Sequence, residues 1–351
     1  MRRLPIYFLI DVSESMIGEP IKQVENGMRN IIQELRTDPY ALETVFVSVI
    51  VFAGKAKSLS PLTELYKFYP PVFPVGGGTS LGAGLNFLMD NIEKNVVKTT
   101  AEMKGDWKPI VFLFTDGTPT DNPNPAIERW QKDFKRKANL VCISLGDNAD
   151  TAVLGKLTEN VLRLKETDEY SFKAFFKWVT ASIKTSSVSV TDTGIDDLQL
   201  APIDGINLEK VSEDENTVID ENFAVLLGKC QTTNKTYLVK FAKRSSYFTY
   251  MGRVDPEMVV NKFKLVGAYP VDEEQYNSLT VGKSNRNINT TELIGNPTCP
   301  CCGNQFGIVV CECGNIFCVG ENAHNRCPWC GMEGSLGEVE HGGMDITRGR
   351  G

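Results

Sequence analysis

The sequence predicts an α/β protein whose first half is a doubly wound, mainly parallel sheet with helices on both faces. Apolar strands alternate with amphipathic helices over residues 1–185, which is the pattern of such folds. Short β-like runs separated by polar stretches then follow. Eight of the ten cysteines lie between Cys299 and Cys330, so a small metal-binding module is expected near the end of the chain.

The strands and helices of the first half are predicted from their apolar periodicity. Runs rich in β-branched and aromatic residues indicate strands, and apolar residues at every third or fourth position indicate helices. The predicted strands are Leu4–Ile10, Thr44–Phe52, Pro109–Phe114, Leu140–Leu145 and 161–164. The predicted helices are Pro20–Leu35, Ser80–Ile92, Pro125–Lys137, 150–159 and 169–184.

The second half divides into three parts by composition. Residues 186–297 are expected to be a linker and a small β-rich segment, because Ser, Thr, Asp and Asn-rich stretches surround a few β-like runs. Those runs are Phe223–Leu227, Thr236–Phe241 and Lys262–Val266. Residues 298–332 hold the cysteine cluster, and the Gly-rich tail 333–351 is predicted to be disordered.

Composition and charge exclude several classes of protein. The chain has 351 residues and a net charge of -7, which disfavours a general nucleic-acid binder. No apolar run approaches the roughly 20 residues that span a bilayer, and the apolar start of the chain is too short for a secretory signal. We therefore expect a cytoplasmic protein, in which clustered cysteines bind metal and do not form disulfides.

Hydroxyl and carboxylate side chains follow the predicted strands at three places. Asp11, Ser13 and Ser15 follow the first strand as D-x-S-x-S, Thr79 follows two glycines before a helix, and Asp116 follows the strand that ends at Phe114. Open α/β sheets bind ligands outside the carboxyl ends of their strands. We expect these five side chains to converge on one cation.

The donor set suits Mg²⁺, a hard ion that takes about six oxygen ligands and keeps several waters. Hydroxyls supply oxygens without cancelling the charge, so the ion keeps an open position for an outside carboxylate. An alternative is that Asp11 and Ser13 only cap the following helix and that Thr115–Gly117 is an ordinary turn.

This arrangement resembles the metal-ion-dependent adhesion site of von Willebrand factor A domains over residues 1–185. The resemblance implies six strands with one antiparallel edge strand, which we assign to Thr44–Phe52. It also implies protein binding instead of catalysis, with Thr79 entering or leaving the coordination shell as the site opens and closes.

The cysteine cluster reads as a set of zinc ligands, because thiolates and imidazole in groups of four favour Zn²⁺. We leave Cys301 out of the expected ligand set, and Cys142 and Cys230 lie outside the cluster in sequence. The expected ligands of two closed, structural sites are Cys299, Cys302, Cys311, Cys313, Cys318, His324, Cys327 and Cys330.

The pairing of these ligands stays open. One arrangement joins the two outer C-P-x-C-G turns, at Cys299 and Cys327, into a zinc ribbon and leaves four ligands for the second ion: Cys311, Cys313, Cys318 and His324. A crossed order like that of a RING domain is the other arrangement. One zinc with spare thiols, or no metal, are the remaining alternatives. A module this short needs metal to fold.

The order of an adhesion-site A domain before an eight-ligand zinc module resembles TerY-type proteins of bacterial tellurite-resistance and stress-response systems. That resemblance implies a protein kinase and a metal-dependent Ser/Thr protein phosphatase as partners, and phosphorylation of the A domain.

No catalytic constellation is recognisable in the sequence. The only histidines are His324 and His341, and no P-loop is present. Asp11 lacks the second aspartate, two residues on, of a haloacid-type phosphatase, since Ser13 stands there. We expect a non-enzymatic scaffold that needs no organic cofactor and binds a partner's Asp or Glu. The alternatives are nucleic-acid binding by the zinc module and ubiquitin-ligase-like activity.

Overall fold

The computed structural model describes residues 2–145, 149–164, 169–192, 200–201, 208–210, 223–250, 253–281, 287–320, 325–334 and 343–348. The chain divides into two compact units. Unit 1 comprises Met1–Pro74 and Thr79–Ile219, and unit 2 comprises Val75–Gly78 and Asp220–Gly351. None of the helices in these ranges has the length and apolarity that a membrane span requires.

Unit 1 is built on one sheet, with the strand order β3-β2-β1-β4-β5-β6-β7. The strands are β1 (Leu4–Asp11), β2 (Val45–Phe52), β3 (Ala56–Glu64), β4 (Ile110–Thr115), β5 (Asn139–Leu145), β6 (Val161–Leu164) and β7 (Leu208–Lys210). The inner five are parallel to one another, and β3 and β7 are antiparallel to their neighbours. The prediction of a mainly parallel α/β sheet is confirmed.

Helices cover both faces of this sheet, as predicted. They are α1 (Glu19–Leu35), α2 (Pro39–Thr44), α3 (Leu81–Asn95), α4 (Asn124–Arg129, continued by a π-helical turn over Trp130–Phe134), α5 (Thr151–Gly155) and α6 (Glu169–Asp192). Alternate residues of β1 face opposite sides. Leu9 packs in a core with Leu85 of α3, whereas the ring of Phe8 lies beside that of Phe114, which contacts Phe175 of α6. A Cβ on Gly27 of α1 would overlap the ring of Phe176, so the glycine allows α1 and α6 to approach closely.

The position of the antiparallel edge strand was predicted wrongly. Val45–Phe52 is parallel to β1 and lies inside the sheet, and the antiparallel strand beside it is Ala56–Glu64. The sequence of β3 does not predict a strand, because it contains Pro61 and because its residues are partly or fully exposed and so lack an apolar pattern. Proline is tolerated there because an edge strand leaves some N–H groups unpaired. The three-residue β7 adds a seventh strand that the sequence did not predict.

Unit 2 contains a six-stranded sheet in the order β12-β10-β9-β8-β14-β13. A single helix of the described part, α7 (Glu273–Leu279), follows β10. The strands of the unit are β8 (Phe223–Lys229), β9 (Thr236–Tyr250), β10 (Arg253–Pro270), β11 (Asn287–Asn289), β12 (Leu293–Ile294), β13 (Phe306–Val310), β14 (Ile316–Val319), β15 (Asn325–Arg326), β16 (Glu333–Gly334) and β17 (Asp345–Thr347).

The β-rich segment and the cysteine module share this sheet, so the predicted boundary between 186–297 and 298–332 is not a structural one. β14 pairs with β8, and both contribute to one core. The segment that follows β12 also contacts β13: the side chain of Asn296 bonds the backbone N–H and C=O of Ile308, and Gly307 N–H donates to Pro297 O.

Part of the tail that was predicted to be disordered is a strand. β17 pairs with β11, and Ile346 is buried in the core of unit 2. One apolar residue in a polar stretch gives too weak a pattern for this strand to be predicted. Residues 335–342 and 349–351 of the tail lie outside the described residues.

Candidate metal centres

The first candidate site lies at the ends of β1 and β4 in unit 1, between which the strand order of the sheet reverses. β1 and β4 are parallel neighbours, but the chain leaves β1 toward β2 on one side and reaches β4 on the other. The loops after these two strands therefore diverge and leave a crevice, which is where open α/β sheets bind ligands. Asp11 ends β1, and Asp116 follows β4.

A continuous chain of hydrogen bonds joins the side chains at this crevice. The N–H of Ser13 donates to Asp11 Oδ1 over 2.9 Å. The hydroxyls of Ser13 and Ser15 lie 3.0 Å apart, and Ser15 Oγ donates to Asp116 Oδ1 over 2.7 Å. All four residues are buried. The structure thus brings four of the five predicted ligands into direct contact.

Thr79, the fifth predicted ligand, borders the same cluster. A Cβ on Gly117 would lie 3.5 Å from Thr79 Oγ1 and 3.6 Å from Ser15 Oγ, so these hydroxyls flank one small space. The N–H of Thr79 donates to Thr120 Oγ1 over 2.9 Å, and Thr120 N–H donates to Thr79 O over 2.8 Å. These bonds fix the Thr79 loop to the loop that carries Asp116.

Three positioning residues of this site were not singled out from the sequence. Thr115 Oγ1 donates to Asp11 Oδ2 over 2.6 Å and so orients that carboxylate. Asp121 accepts the N–H groups of Gly82 and Ala83 at the start of α3, and Thr120 holds Thr79. The run T-D-G-T-P-T-D that begins at Thr115 carries all three residues, and its density of hydroxyls and carboxylates was the available signal.

The electrostatics of the cluster fit a divalent cation. Burial raises the pKa of Asp11 to about 7, and the nearby charge of Asp116 contributes to this rise. Hydrogen bonds from Thr115 and Ser13 act in the opposite direction and lower the pKa. Two ionised carboxylates confined together repel each other, and a cation between them would remove that repulsion. Two carboxylates and three hydroxyls are hard oxygen donors of the kind that Mg²⁺ takes.

The alternative that these residues cap a helix does not fit the structure. Ser13 precedes a 3₁₀ turn, Glu14–Met16, and its side chain makes no capping bond. The residue before α1 is Gly18. Asp11 and Ser13 direct their oxygens to the cluster instead.

Two groups of four cysteines form the second and third candidate sites. In each group the sulfur atoms all lie within 4.8 Å of one another. A tetrahedron with Zn–S bonds of about 2.3 Å has sulfur–sulfur edges of about 3.8 Å, and the Cys302–Cys318 and Cys311–Cys330 distances are 3.7 and 3.6 Å. We name the groups cluster A (Cys230, Cys299, Cys302 and Cys318) and cluster B (Cys311, Cys313, Cys327 and Cys330).

Tight turns with left-handed residues present the cysteines of both clusters. The N–H of Gly303 donates to Cys299 O over 2.9 Å, and Gly303 has φ of 78°, which glycine adopts at little cost. Gly331 forms an equivalent turn after Cys327, and Gly314 forms a turn that is one residue shorter after Cys311. At Cys230 the same geometry is made by Asn234, whose φ is 60° and whose N–H bonds Cys230 O.

Hydrogen bonds to sulfur stabilise the thiolate form that binds metal. Burial raises the pKa of Cys230, but bonds from Thr233, including its N–H at 3.3 Å, hold that pKa at about 6. Burial likewise raises the pKa of Cys313, but hydrogen bonds with Asn315 lower it, so that the pKa is about 7. Asn315 Nδ2 lies 3.4 Å from Cys313 Sγ.

The order of the ligands along the chain is interleaved. Cys299 and Cys302 group with Cys318 beyond Cys311 and Cys313, so the crossed arrangement is observed and the joining of the two outer turns is not. Cys301 lies in neither group among the described residues.

Cys230 occupies a place that the sequence did not suggest. We predicted His324 as the eighth ligand; His324 and His341 lie outside the described residues, and Cys230 completes cluster A. Cys230 is remote in sequence from the other ligands. The polar turn C-Q-T-T-N between two β-like runs was the available signal.

The fold of unit 1 and its oxygen-lined crevice define a von Willebrand factor type A domain. The sequence model of that family matches residues 6–176. A second family, described as the TerY-C metal binding domain, matches residues 220–351. The chain therefore has the TerY-type architecture, in which a von Willebrand factor type A domain precedes a TerY-C metal binding domain.

Similarity to individual proteins is confined to part of the chain. Inter-alpha-trypsin inhibitor heavy chain H1 of Bos taurus is 28% identical over 119 residues, which are 33% of this chain and 13% of that protein. Heavy chain H6 of Homo sapiens is 23% identical over 159 residues, 44% of this chain and 12% of that protein. The chain thus spans about an eighth of the length of these two relatives.

Among solved structures, proximal thread matrix protein 1 from the mussel byssus, with a zinc occupied MIDAS motif, is 19% identical. The alignment covers 53% of this chain and 46% of that chain, with a TM-score of 0.37.

Proposed function

We propose that this protein is a non-enzymatic, metal-dependent adaptor whose A domain captures an Asp or Glu of a partner protein through Mg²⁺. The observation that carries the proposal is the hydrogen-bond chain from Asp11 through Ser13 and Ser15 to Asp116. This chain joins four of the five proposed ligands, and the hydroxyl of Thr79, from a third loop, borders them. Von Willebrand factor type A domains are generally interaction modules, which supports this proposal.

The residues of the site divide into ligands and groups that orient them. Asp11, Ser13, Ser15, Thr79 and Asp116 would hold the ion. Thr115 orients Asp11, and Thr120 orients the Thr79 loop. When bound, Mg²⁺ supplies positive charge and a coordination position for an incoming carboxylate. Neutral hydroxyls make up most of the set, so the ion keeps its attraction for an anion.

Clusters A and B would hold two structural Zn²⁺ ions. Each offers four thiolates, and a four-ligand site leaves no open position for substrate. Cluster A joins the turn after β8 to the turn after β12 and to β14. Zinc there would stabilise a sheet whose strands are distant in sequence.

The pathway belongs to the same proposal. The TerY-C match over residues 220–351 supports a role in a bacterial tellurite-resistance and stress-response system. The expected partners are a protein kinase and a metal-dependent Ser/Thr protein phosphatase, with phosphorylation of the A domain. We place the protein in the cytoplasm, where thiols stay reduced and available to zinc.

Two measurements on the full chain test the central claim. Calorimetric titration with Mg²⁺ should give one site in the wild type and none in Asp11→Ala. Asp133→Ala, which removes an exposed carboxylate, should bind Mg²⁺ like the wild type. Affinity purification followed by mass spectrometry should then recover the kinase and the phosphatase with the wild type and Asp133→Ala, but not with Asp11→Ala.

The proposal fails if Asp11→Ala binds Mg²⁺ normally, or if it recovers the same partners as the wild type. Chelation by EDTA is a weaker control than the variant, because it also removes zinc from unit 2. The variant confines the change to unit 1.

A second candidate is ubiquitin-ligase-like activity, favoured by the interleaved order of the ligands in clusters A and B. Adding the chain to a conjugating enzyme charged with ubiquitin tests it. Faster discharge would support this activity, and an unchanged rate would exclude it for that enzyme.

A further inference from the structure

A second concave site lies at the end of the unit 1 sheet opposite the oxygen-lined crevice. Pro109, just before β4, lines a cavity of about 390 Å³, whereas Asp116 follows the other end of the same strand. Cavities of roughly 300–1,000 Å³ are the usual size of small-molecule sites. The cavity lies wholly within unit 1.

Apolar side chains form the inner wall of this cavity. Ile92 of α3, Trp107 and Phe134 line it and are buried. Val96 and Val97 add to the wall, and Val97 is exposed. The wall offers contact to an apolar group such as an aromatic ring.

Cationic side chains surround this apolar wall. Lys98, Lys108, Arg136 and Lys137 all line the cavity, in a chain whose net charge is -7. The cationic and apolar parts of the lining are in contact, because Lys137 Nζ lies 5.0 Å from the ring centroid of Phe134.

Arginines already engage both acidic residues of the lining. Asp106 accepts a bond from Arg3 Nε over 2.8 Å. Glu93 lies 3.7 Å from Arg129. Lys98, Arg136 and Lys137 thus add positive charge to a lining whose two carboxylates are already engaged by arginines, and an anion is the complementary ligand.

The loop that forms one side of the cavity is held in place by hydrogen bonds within the protein. Val97 N–H donates to Asp106 Oδ2 over 2.8 Å, and Asp106 N–H donates back to Val97 O over 2.8 Å. Gly105 N–H donates to Thr99 Oγ1, and Arg2 stacks over the ring of Trp107, 3.3 Å from its centroid. Such preorganisation reduces the entropy lost on binding.

We propose that this cavity binds a small amphipathic anion, an apolar ring or branched chain that carries one acidic group. The apolar part contacts Val96, Val97 and the accessible edge of Trp107, and the acidic group lies among Lys98, Arg136 and Lys137. This site needs no metal, and it is separate from the crevice at Asp11.

Fluorescence titration of the full chain with 8-anilinonaphthalene-1-sulfonate tests the proposal, because this probe joins an apolar body to one anionic group. We expect one saturable site per chain. Lys98→Glu combined with Arg136→Glu should weaken binding at least ten-fold, and Val96→Trp should abolish it by filling the cavity. The uncharged analogue N-phenyl-1-naphthylamine should be insensitive to the double charge reversal.

Lys55→Glu combined with Lys57→Glu is the matched control. It makes the same change of charge on exposed residues outside the cavity lining, and it should leave the affinity within two-fold of the wild type. Asp11→Ala should also bind the probe normally, which keeps this result independent of the proposed metal function. Unchanged melting temperatures show that no variant binds the probe through unfolding.

The proposal is overturned if the Lys98 and Arg136 reversals bind the probe like the wild type. It is equally overturned if the control reversals weaken binding as much, since net charge would then explain the effect. The charge reversals lie on exposed side chains, so they test the site even if Val96→Trp does not fold.

Discussion

Thr79 and Thr120 hold each other by reciprocal hydrogen bonds, since the N–H of Thr79 donates to Thr120 Oγ1 and the N–H of Thr120 donates to Thr79 O. One residue is a proposed metal ligand, and the other lies in the loop after β4. The pair fixes the separation of the two loops that carry the proposed ligands.

Thr120→Ala should lower the affinity for Mg²⁺ without removing a ligand. The N–H of Thr79 would lose its acceptor, and a typical hydrogen bond contributes about 0.5–1.5 kcal/mol, or a factor of about two to ten. Thr118→Ala in the same loop is the control and should bind like the wild type. Calorimetric titration with Mg²⁺ makes the comparison, and equal affinities in both variants would remove Thr120 from the site.

Stability of the metal-free A domain should fall as the pH rises from about 4 to 7. The pKa of Asp11 is raised in the folded state to about 7, against about 3.9 in an unfolded chain. The folded state therefore holds its proton more tightly, and this contribution, on the order of a few kcal/mol, is lost as Asp11 ionises. Saturating Mg²⁺ should reverse the trend, because the ion favours the ionised form.

Urea denaturation at several pH values without added Mg²⁺ measures this dependence. Asp11→Asn is the matched variant, since it keeps the shape of the side chain and cannot ionise. Its stability should vary less with pH over this range than that of the wild type. Parallel pH profiles for the two proteins would contradict the assignment.

Cys230→Ala should reduce the zinc content from two ions per chain toward one. Cluster A would keep three thiolates, and a structural site with a missing ligand binds zinc much more weakly. Cys301→Ala removes a neighbouring thiol outside both clusters and should retain two. His324→Ala should also retain two, because cysteines complete both groups. Elemental analysis of the purified proteins gives the stoichiometry, and loss of zinc in His324→Ala would restore histidine as a ligand.

Gly27→Ala should destabilise unit 1 by about 1–3 kcal/mol, the usual cost of overpacking. The new Cβ would overlap the ring of Phe176 and separate α1 from α6. Gly155→Ala in α5 is the control, since a Cβ there meets nothing within 4 Å and alanine favours helix by up to about 1 kcal/mol. The free energy of unfolding in urea should change in opposite directions in the two variants.

Much of unit 1 is predictable from sequence because its signals are local. The periodicity of residues 4–10 and 20–35 identifies a strand and a helix without reference to the rest of the chain. Asp11, Thr79 and Asp116 were also identifiable, because each lies beside a strand or helix whose own pattern is clear. The structure brings Asp11 and Asp116 to one edge because the parallel strands β1 and β4 end there, and Thr120 holds the Thr79 loop beside Asp116.

The missed features depend on pairing between distant segments. β3 is polar enough to resemble a loop, and only its partner β2 makes it a strand. β17 likewise depends on β11. Cys230 has no neighbouring ligand in sequence, and only the pairing of β8 with β14 brings it to Cys318. The periodicity of apolar residues and the spacing of motifs along the sequence do not indicate which distant segments will pair.

The unequal spans of the two cysteine groups have a consequence for assembly. Cluster B closes within residues 311–330, whereas cluster A reaches from Cys230 to Cys318. Closing the longer loop costs more chain entropy, and it requires the strands of unit 2 to have formed. We therefore expect cluster B to bind its ion first as the protein folds. Cluster A would bind the second ion only after the sheet of unit 2 has formed, and that ion would then stabilise the folded unit.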